Sequence, residues 1–206
     1  MLISSQNKIL FIHIQKTAGS SMMVLLKENV PDLSHYLGTH DHALWTKQRH
    51  DFVWDAYYKF AFVRNPWDRL VSWYAMITQQ ADRVRDKHEL NDLWRYVLES
   101  SHSFETFLEV CTDEIDDIDG RKSFLYNQLD YVTNQEGEVI VDFIGRFENL
   151  THDAKILFNK LGLKDISMPH HNASMRKAYQ EYYNHRTQKI VAERYARDIE
   201  FFRYSF

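Results

Sequence analysis

Two strand-loop-helix units, together with the apolar character of their strands, predict an α/β fold: a P-loop-like parallel sheet flanked by helices. The first unit runs from Lys8 to Ile14 (KILFIHI), a β-branched apolar run, through a polar turn containing Gly19 to Ser20–Glu28 (SSMMVLLKE), which has helical character. The second runs from Lys59 to Val63 (KFAFV), through Arg64-Asn65-Pro66, into a helix from Trp67 to about Gln80. Continuous apolar strands that feed helix N-termini are strands covered on both faces, which is the pattern of a parallel sheet. In the second unit Asn65 suits the N-cap, Pro66 the first helical position, and Asp68 the positive end of the helix dipole.

Between the two units His35 to Leu37 is a short strand candidate that breaks at Gly38-Thr39-His40. From about 81 to 120 the chain reads as helices: Glu89 to Glu99, then Ser103 to Val110 capped by Ser103, then the acidic loop TDEIDDIDG. No Pro/Gly/Ser-rich linker flanks this stretch, so the expectation is a single domain over 1–206 with a helical insertion at about 81–129. Asp130 to Val141 alternates around Asn134-Gln135-Glu136-Gly137 and predicts a hairpin, and VDFIGRF predicts a core strand. Thr151 to Leu161 predicts an amphipathic helix stopped by Gly162. After a loop at 168–174 the chain ends in a helix whose apolar positions Ile190, Tyr195, Ile199 and Phe202 fit one stripe only loosely.

The 206 residues carry 25 Lys+Arg against 29 Asp+Glu, a formal net charge of −4, so the chain as a whole has no electrostatic footprint for nucleic acid or an anionic membrane. Any anion must be held by a local cluster of cations. A single cysteine, Cys111, excludes an intrachain disulfide, a CxxC pair and a thiolate zinc cluster, and favours a reduced compartment. No stretch approaches the roughly 18 uninterrupted apolar residues of a membrane span, and no basic segment leads into an apolar one, so the expectation is a soluble, untargeted protein. Aromatic content, at 15%, is the compositional outlier, and those rings either fill the core or line a cleft.

Gln15-Lys16-Thr17-Ala18-Gly19-Ser20-Ser21 offers successive backbone N–H groups, a glycine, three hydroxyls and a lysine at the positive end of a helix, the equipment that cradles a phosphate. It is not a Walker A loop, in which the lysine follows the glycines. Taken alone, it fits both an anion cradle and an ordinary turn with a solvated lysine. The second unit puts Arg64 at the carboxyl end of a strand, where open α/β sheets bind ligands, and Ser72 on the following helix. A fixed guanidinium and a hydroxyl suit a second phosphate.

KTAGSS after the first strand and VRNPWDRLVSWY after the later one resemble the 5′-phosphosulfate and 3′-phosphate motifs of the PAPS-dependent sulfotransferases, closest to the carbohydrate branch of heparan, uronyl 2-O and related enzymes. FIGRFENL (143–150), HHNAS (170–174) and the closing YARDIEFF extend the resemblance over nearly the whole chain. The stretch 81–130 is the part it explains least. The resemblance implies transfer of a sulfuryl group from 3′-phosphoadenosine 5′-phosphosulfate (PAPS) to a hydroxyl acceptor, without a metal. By it Lys16 contacts the phosphosulfate bridge, Thr17, Ala18, Gly19, Ser20 and Ser21 hold the 5′-phosphate, and Arg64 and Ser72 bind the 3′-phosphate. Arg146 and Arg176 are candidates for the adenosine side, with solvated surface arginines as the alternative.

The 2-O branch carries a His-x-His similar to His40-Asp41-His42, with the second histidine proposed as base. His42 is therefore the candidate general base, and His40, Asp41 or Glu28 are the alternatives; imidazole titrates near neutral pH, as a general base should. A metal site built from His40, Asp41, His42 and His170-His171, and a plain surface loop, are the competing readings, although no HExxH-like spacing is present. Trp45, Trp54, Tyr57 and Tyr58 offer flat faces to a sugar ring or else pack in the core. The acidic run Asp113, Glu114, Asp116, Asp117 and Asp119 would repel a polyanionic glycan, and basic residues at 83, 85 and 87 act the other way. The expected acceptor is a carbohydrate or glycosylated small molecule.

Two alternatives remain. A P-loop kinase-like phosphotransferase has the wrong lysine order and only Asp142 as a Mg²⁺ carboxylate, and a nonenzymatic nucleotide-binding protein of the same fold is the other. Many relatives are Golgi membrane proteins with luminal disulfides. A chain with neither an anchor nor a cysteine pair is expected to be a cytoplasmic, bacterial enzyme.

Overall fold

The computed structural model describes residues 1–49, 54–84, 90–113, 124, 126–163 and 176–206. In chain order its main elements are β1 (Leu2–Ser4), β2 (Ile9–Ile12), α1 (Gly19–Asn29), β3 (Ser34–His35), α2 (Ala43–Arg49), β4 (Tyr58–Val63), α3 (Pro66–Ala81), α4 (Asp92–Ser100), β5 (Phe143–Arg146), α5 (Leu150–Lys160), α6 (His185–Arg194) and α7 (Ala196–Phe202). The chain packs as two compact units, residues 1–64 with 128–172 and residues 65–127 with 173–206.

The first unit is built on a five-stranded sheet of order β3-β1-β2-β4-β5. Its heart is parallel: β2 pairs β4 from Ile9↔Tyr58 to Ile12↔Ala61, and β4 pairs β5 from Phe60↔Phe143 to Val63↔Arg146. Every residue of β2 is buried, as are those of β4 after Tyr58, which is what a continuous apolar run predicts. The sheet is mixed, because β1 adds antiparallel to β2 and β3 antiparallel to β1. Phe11, Phe60 and Phe62 pack with Met22, Leu25 and Leu26 of α1 and Leu157 and Phe158 of α5. Gly162, at φ 68°, follows α5 in the left-handed conformation that ends a helix.

Three local expectations need correction in this unit. Leu37 is not in a strand; β3 stops at His35, and Leu37 has φ 57°. The hairpin over 130–141 reduces to one bridge, Thr133↔Val139, around the turn at Gly137, because Gln128–Tyr131 is a 3-10 helix. The VDFIGRF strand lies at the end of the sheet rather than in its middle, and only Gly145 within β5 is buried.

The second unit is helical. α3 opens as its sequence predicts, with the Asn65 side chain accepting from the Trp67 N–H at 3.0 Å and Pro66 in the first turn. Its buried face, Trp67, Leu70, Val71, Trp73 and Ile77, packs with Val97, Phe104, Phe107, Leu108, Phe124, Val191 and Tyr195. Ser103 caps a single turn, Phe104–Thr106, through a reciprocal capping box, but the next residues, Phe107–Cys111, widen into a π-helix in place of the expected α-helix. Arg194 donates to the carbonyls of Leu108 and Glu109 and to the Thr112 hydroxyl, filling the polar needs of that widened turn. α4 begins at Asp92 with Asn91 as its cap. The expected closing helix is two helices broken at Tyr195, whose buried hydroxyl donates to the Phe124 carbonyl, and the loosely fitting stripe follows from that break.

Residues 114–120 of the acidic loop, the basic positions 85 and 87, and the segment 168–174 with His170 and His171 lie outside the described residues. Among the described residues no helix is long and apolar enough to cross a membrane.

Candidate active site

The loop that leaves β2 carries two non-glycine residues in the left-handed region, Lys16 at φ 66° and Ala18 at φ 78°. Such residues cost conformational energy and persist where surrounding contacts enforce them, and left-handed residues beside right-handed ones are the backbone pattern of an anion-binding nest. The Thr17 hydroxyl is buried and donates to the Ile14 carbonyl at 2.9 Å, so this side chain closes the turn. α1 then starts with no side-chain cap bond and no acidic residue in its first turn. Its first N–H groups and positive dipole end suit an external anion. Ser20 is exposed there and Ser21 half-buried.

Gly19 is required by close approach. A Cβ on it would lie 1.6 Å from Nε2 of His13, the residue just after β2. Gly19→Ala should therefore destabilise the protein by about 1 to 3 kcal/mol through overpacking. Thermal melts of Gly19→Ala, alone and with His13→Ala, check this. The second change should recover part of the loss, and a wild-type melt for Gly19→Ala would show that the packing is not tight.

Arg64 follows β4 and joins the two strand ends. Its guanidinium lies 3.7 Å from the Phe147 ring centre and donates from Nη1 to the Lys16 carbonyl at 3.1 Å. Its backbone is gripped by one side chain: Gln128 accepts from the Arg64 N–H at 2.8 Å and donates to the Arg64 carbonyl at 2.7 Å. Arg146 ends β5 in register with Val63, its N–H donating to the Asp153 carboxylate at 2.7 Å.

The His-x-His lies in this same unit. A carbonyl only accepts, so the 3.0 Å contact of His40 Nδ1 with the His13 carbonyl places a proton on Nδ1. His42 is buried, stacks on Trp45 at 4.3 Å between ring centres, packs on Tyr131 at 4.2 Å, and hydrogen-bonds to the Asp130 backbone. Tyr131 in turn donates to Gln15 Oε1 at 3.0 Å. Asp41 accepts from the Gly38 N–H at 3.0 Å, closing its own turn. Glu28 is exposed near the far end of α1, about 13 Å of helix away from the loop, and is not brought to it.

Burial pushes the His42 pKa down to about 4 against the opposing charges of Asp130 and Asp41, and burial, then His40, pushes His13 down to about 3. Both imidazoles are neutral at pH 7. A histidine whose folded pKa is depressed leaves the unfolded chain binding more protons at acid pH. Stability from this source is complete above pH 6.5 and lost as pH falls toward 4 for His42 and toward 3 for His13. Denaturant midpoints from pH 7 to pH 4 should fall by an equivalent of a few kcal/mol, about half as steeply in His42→Phe. A flat profile would mean both rings protonate freely in place.

Of the candidate aromatic platforms, Trp54 and Tyr57 are buried, Tyr58 is half-buried, and Trp45 is 37% exposed, so Trp45 alone combines a free face with contact to a candidate base. Asp142 is no metal carboxylate at the ligand end of the sheet. It accepts from the Lys59 N–H at 2.7 Å and pairs with Lys59 Nζ at 2.9 Å, at the opposite end of β4 from Arg64. Among the described residues no group of three His, Cys, Asp or Glu side chains is placed to hold a metal. Burial raises the Cys111 thiol to about 11, which fits a packing role.

In the second unit Ser72 is half-buried on α3, one turn after Asp68. Arg176 pairs with Asp68 at 2.5 Å, and both side chains are largely buried, so it is not a solvated surface arginine. His13, Gln128, Tyr131 and Phe147 join the site through contacts that no sequence motif marks. Phe147 falls within FIGRFENL, whereas Gln128 and Tyr131 carry no local signal.

The parallel strands of this α/β sheet thus lead to a loop with two left-handed residues, a lysine and an arginine set over a phenyl ring, groups of the kind that suit a compact anion. The family model described as the sulfotransferase family matches residues 1–205. The chain belongs to the sulfotransferase family and is an enzyme of the PAPS-dependent sulfotransferase type. No curated protein is significantly similar to it in sequence. Among solved structures, mouse sulfotransferase SULT7A1, crystallised in complex with PAP, matches 95% of this chain and 86% of its own length at a TM-score of 0.50 and 11% identity, a likeness of fold.

Proposed function

We propose that the chain moves the sulfuryl group of PAPS to a hydroxyl on a carbohydrate or glycosylated small molecule, with His42 as general base. The donor is a polyanion, and the chain's net charge is −4, so binding depends on cations gathered locally. The observation that carries the reading is the bond from the Arg64 guanidinium to the Lys16 carbonyl, which gathers two cationic residues at neighbouring strand ends beside the nest. Lys16 would meet the phosphosulfate bridge, and Thr17 to Ser21 the 5′-phosphate. Arg64 and Ser72 would take the 3′-phosphate, with Arg146 and Arg176 on the adenosine side.

In the step itself the acceptor oxygen bonds to sulfur as the bond from sulfur to the bridging oxygen breaks. The acceptor proton passes to the neutral imidazole, and PAP leaves with the bridging electron pair. Lys16 stabilises the charge that grows on that oxygen, and no metal enters. The partly free face of Trp45, stacked on His42, supports a sugar ring as acceptor.

Thermal shift with adenosine 3′,5′-bisphosphate against ATP-Mg²⁺ tests the donor, and labelled PAPS with neutral glycosides, heparan-type chains and tyrosine peptides tests the acceptor. Stabilisation by the bisphosphate, with fastest transfer to glycosides, is expected. Stabilisation by ATP-Mg²⁺ alone would restore the kinase reading, and no shift with either the nonenzymatic one. Fastest transfer to the polyanion, falling steeply with salt, would overturn the acceptor class. A second reading, with His40 as base, is favoured by its greater exposure than His42.

A further inference from the structure

We propose that Tyr131, with Gln128 one turn before it, is a positioning residue that couples the donor loop to the base. The inference rests on the proposed reading of Lys16 and Arg64 as donor grip and His42 as base. Gln128–Tyr131 is one 3-10 turn, and both residues that give it its name are fully buried. Each end of the turn serves a different part of the site. The strand pairing of β4 with β5 ends at Val63↔Arg146, and Arg64 is the next residue of the chain. The Gln128 carboxamide bonds both the N–H and the carbonyl of Arg64, fixing the backbone from which the guanidinium extends over Phe147.

Tyr131 works in two directions. Its hydroxyl holds Gln15, the residue before Lys16, while its ring packs on His42. Asp130, between them, hydrogen-bonds His42 through its backbone. The Thr133 hydroxyl donates to the Leu129 carbonyl at 2.9 Å and so ties the turn to the chain that follows. A movement of the donor loop thus reaches the imidazole through one rigid side chain. The charged groups acting on His42 are Asp130 and Asp41.

Two variants separate the two directions. Tyr131→Phe keeps the ring and removes the bond to Gln15. It should weaken binding of adenosine 3′,5′-bisphosphate in calorimetry roughly 3- to 10-fold and leave the acid limb of kcat/KM where wild type has it. Tyr131→Leu removes the ring and should move that acid limb toward the ordinary imidazole range, because His42 loses the cover that desolvates it. Gln128→Met should weaken bisphosphate binding while leaving the acid limb in place.

A merely structural role would lower the melting temperature of these variants without moving the affinity or the pH profile of the folded fraction, and that result overturns the inference. If Tyr131→Leu does not fold, calorimetry on Tyr131→Phe and Gln128→Met decides, and wild-type affinity in both overturns it. Loss of the acid limb in His42→Ala together with wild-type behaviour of all three variants overturns the inference alone. Full turnover and an intact acid limb in His42→Ala overturns the base reading, and the coupling with it.

Discussion

His42→Ala should lower turnover roughly 10²- to 10⁴-fold while leaving the affinity for adenosine 3′,5′-bisphosphate nearly unchanged. In the proposed role His42 acts on the acceptor proton, and it is not among the groups proposed for the donor phosphates. The wild-type enzyme should keep its activity well below pH 6.5, because burial holds the His42 pKa near 4 and the imidazole stays unprotonated through mildly acid conditions. A bound polyanionic donor favours the imidazolium, so the acid limb of kcat should lie above that of kcat/KM, which reports the free enzyme. In His42→Ala the acid limb should disappear. His40→Ala with the same damage, in a protein where His42→Ala stays active, would move the role to His40.

The parts of this site that the sequence displays are those whose signals are local. A β-branched run, a Gly-containing turn and a helix specify β2, the loop and α1 from neighbouring residues alone, and VRNPW does the same for β4 and α3, down to the Asn65 cap. What the sequence hides is made by distant contact. Gln128 is 64 positions from the Arg64 backbone it grips, and Tyr131 is 116 from Gln15, so no window shows either pairing. The expected hairpin over 130–141 survives only as the bridge Thr133↔Val139, and its first two residues belong instead to the 3-10 turn at 128–131, where period-2 reading sees a strand. Gly19 was legible as a loop glycine, but its reason, the His13 ring lying against it, is tertiary. The β1 strand has no signature in the sequence because three residues give too short a pattern, and it is fixed by pairing with β2 on one side and β3 on the other.

Arg64→Ala should weaken adenosine 3′,5′-bisphosphate binding by about 1.5 to 3 kcal/mol, the scale of a charge-assisted hydrogen bond lost from a desolvated site. The argument rests on placement as well as charge. Arg64 is buried, its guanidinium carbon sits over the Phe147 ring, and it spends one N–H on the Lys16 carbonyl, so removing it also frees the loop that carries Lys16. Arg64→Lys should recover little of the loss. An ammonium keeps the charge, but it offers no planar face to Phe147 and no fork to satisfy a carbonyl and a phosphate together. Lys16→Ala separates this role from the chemistry: it should lower kcat more than bisphosphate affinity, since PAP lacks the sulfuryl group whose bridge Lys16 is assigned to meet. Calorimetry at two salt concentrations checks the electrostatic origin, with the wild-type advantage over Arg64→Ala narrowing as salt rises. If Arg64→Ala binds the bisphosphate as tightly as wild type, Arg64 is a brace for the Lys16 loop and the 3′-phosphate is held elsewhere.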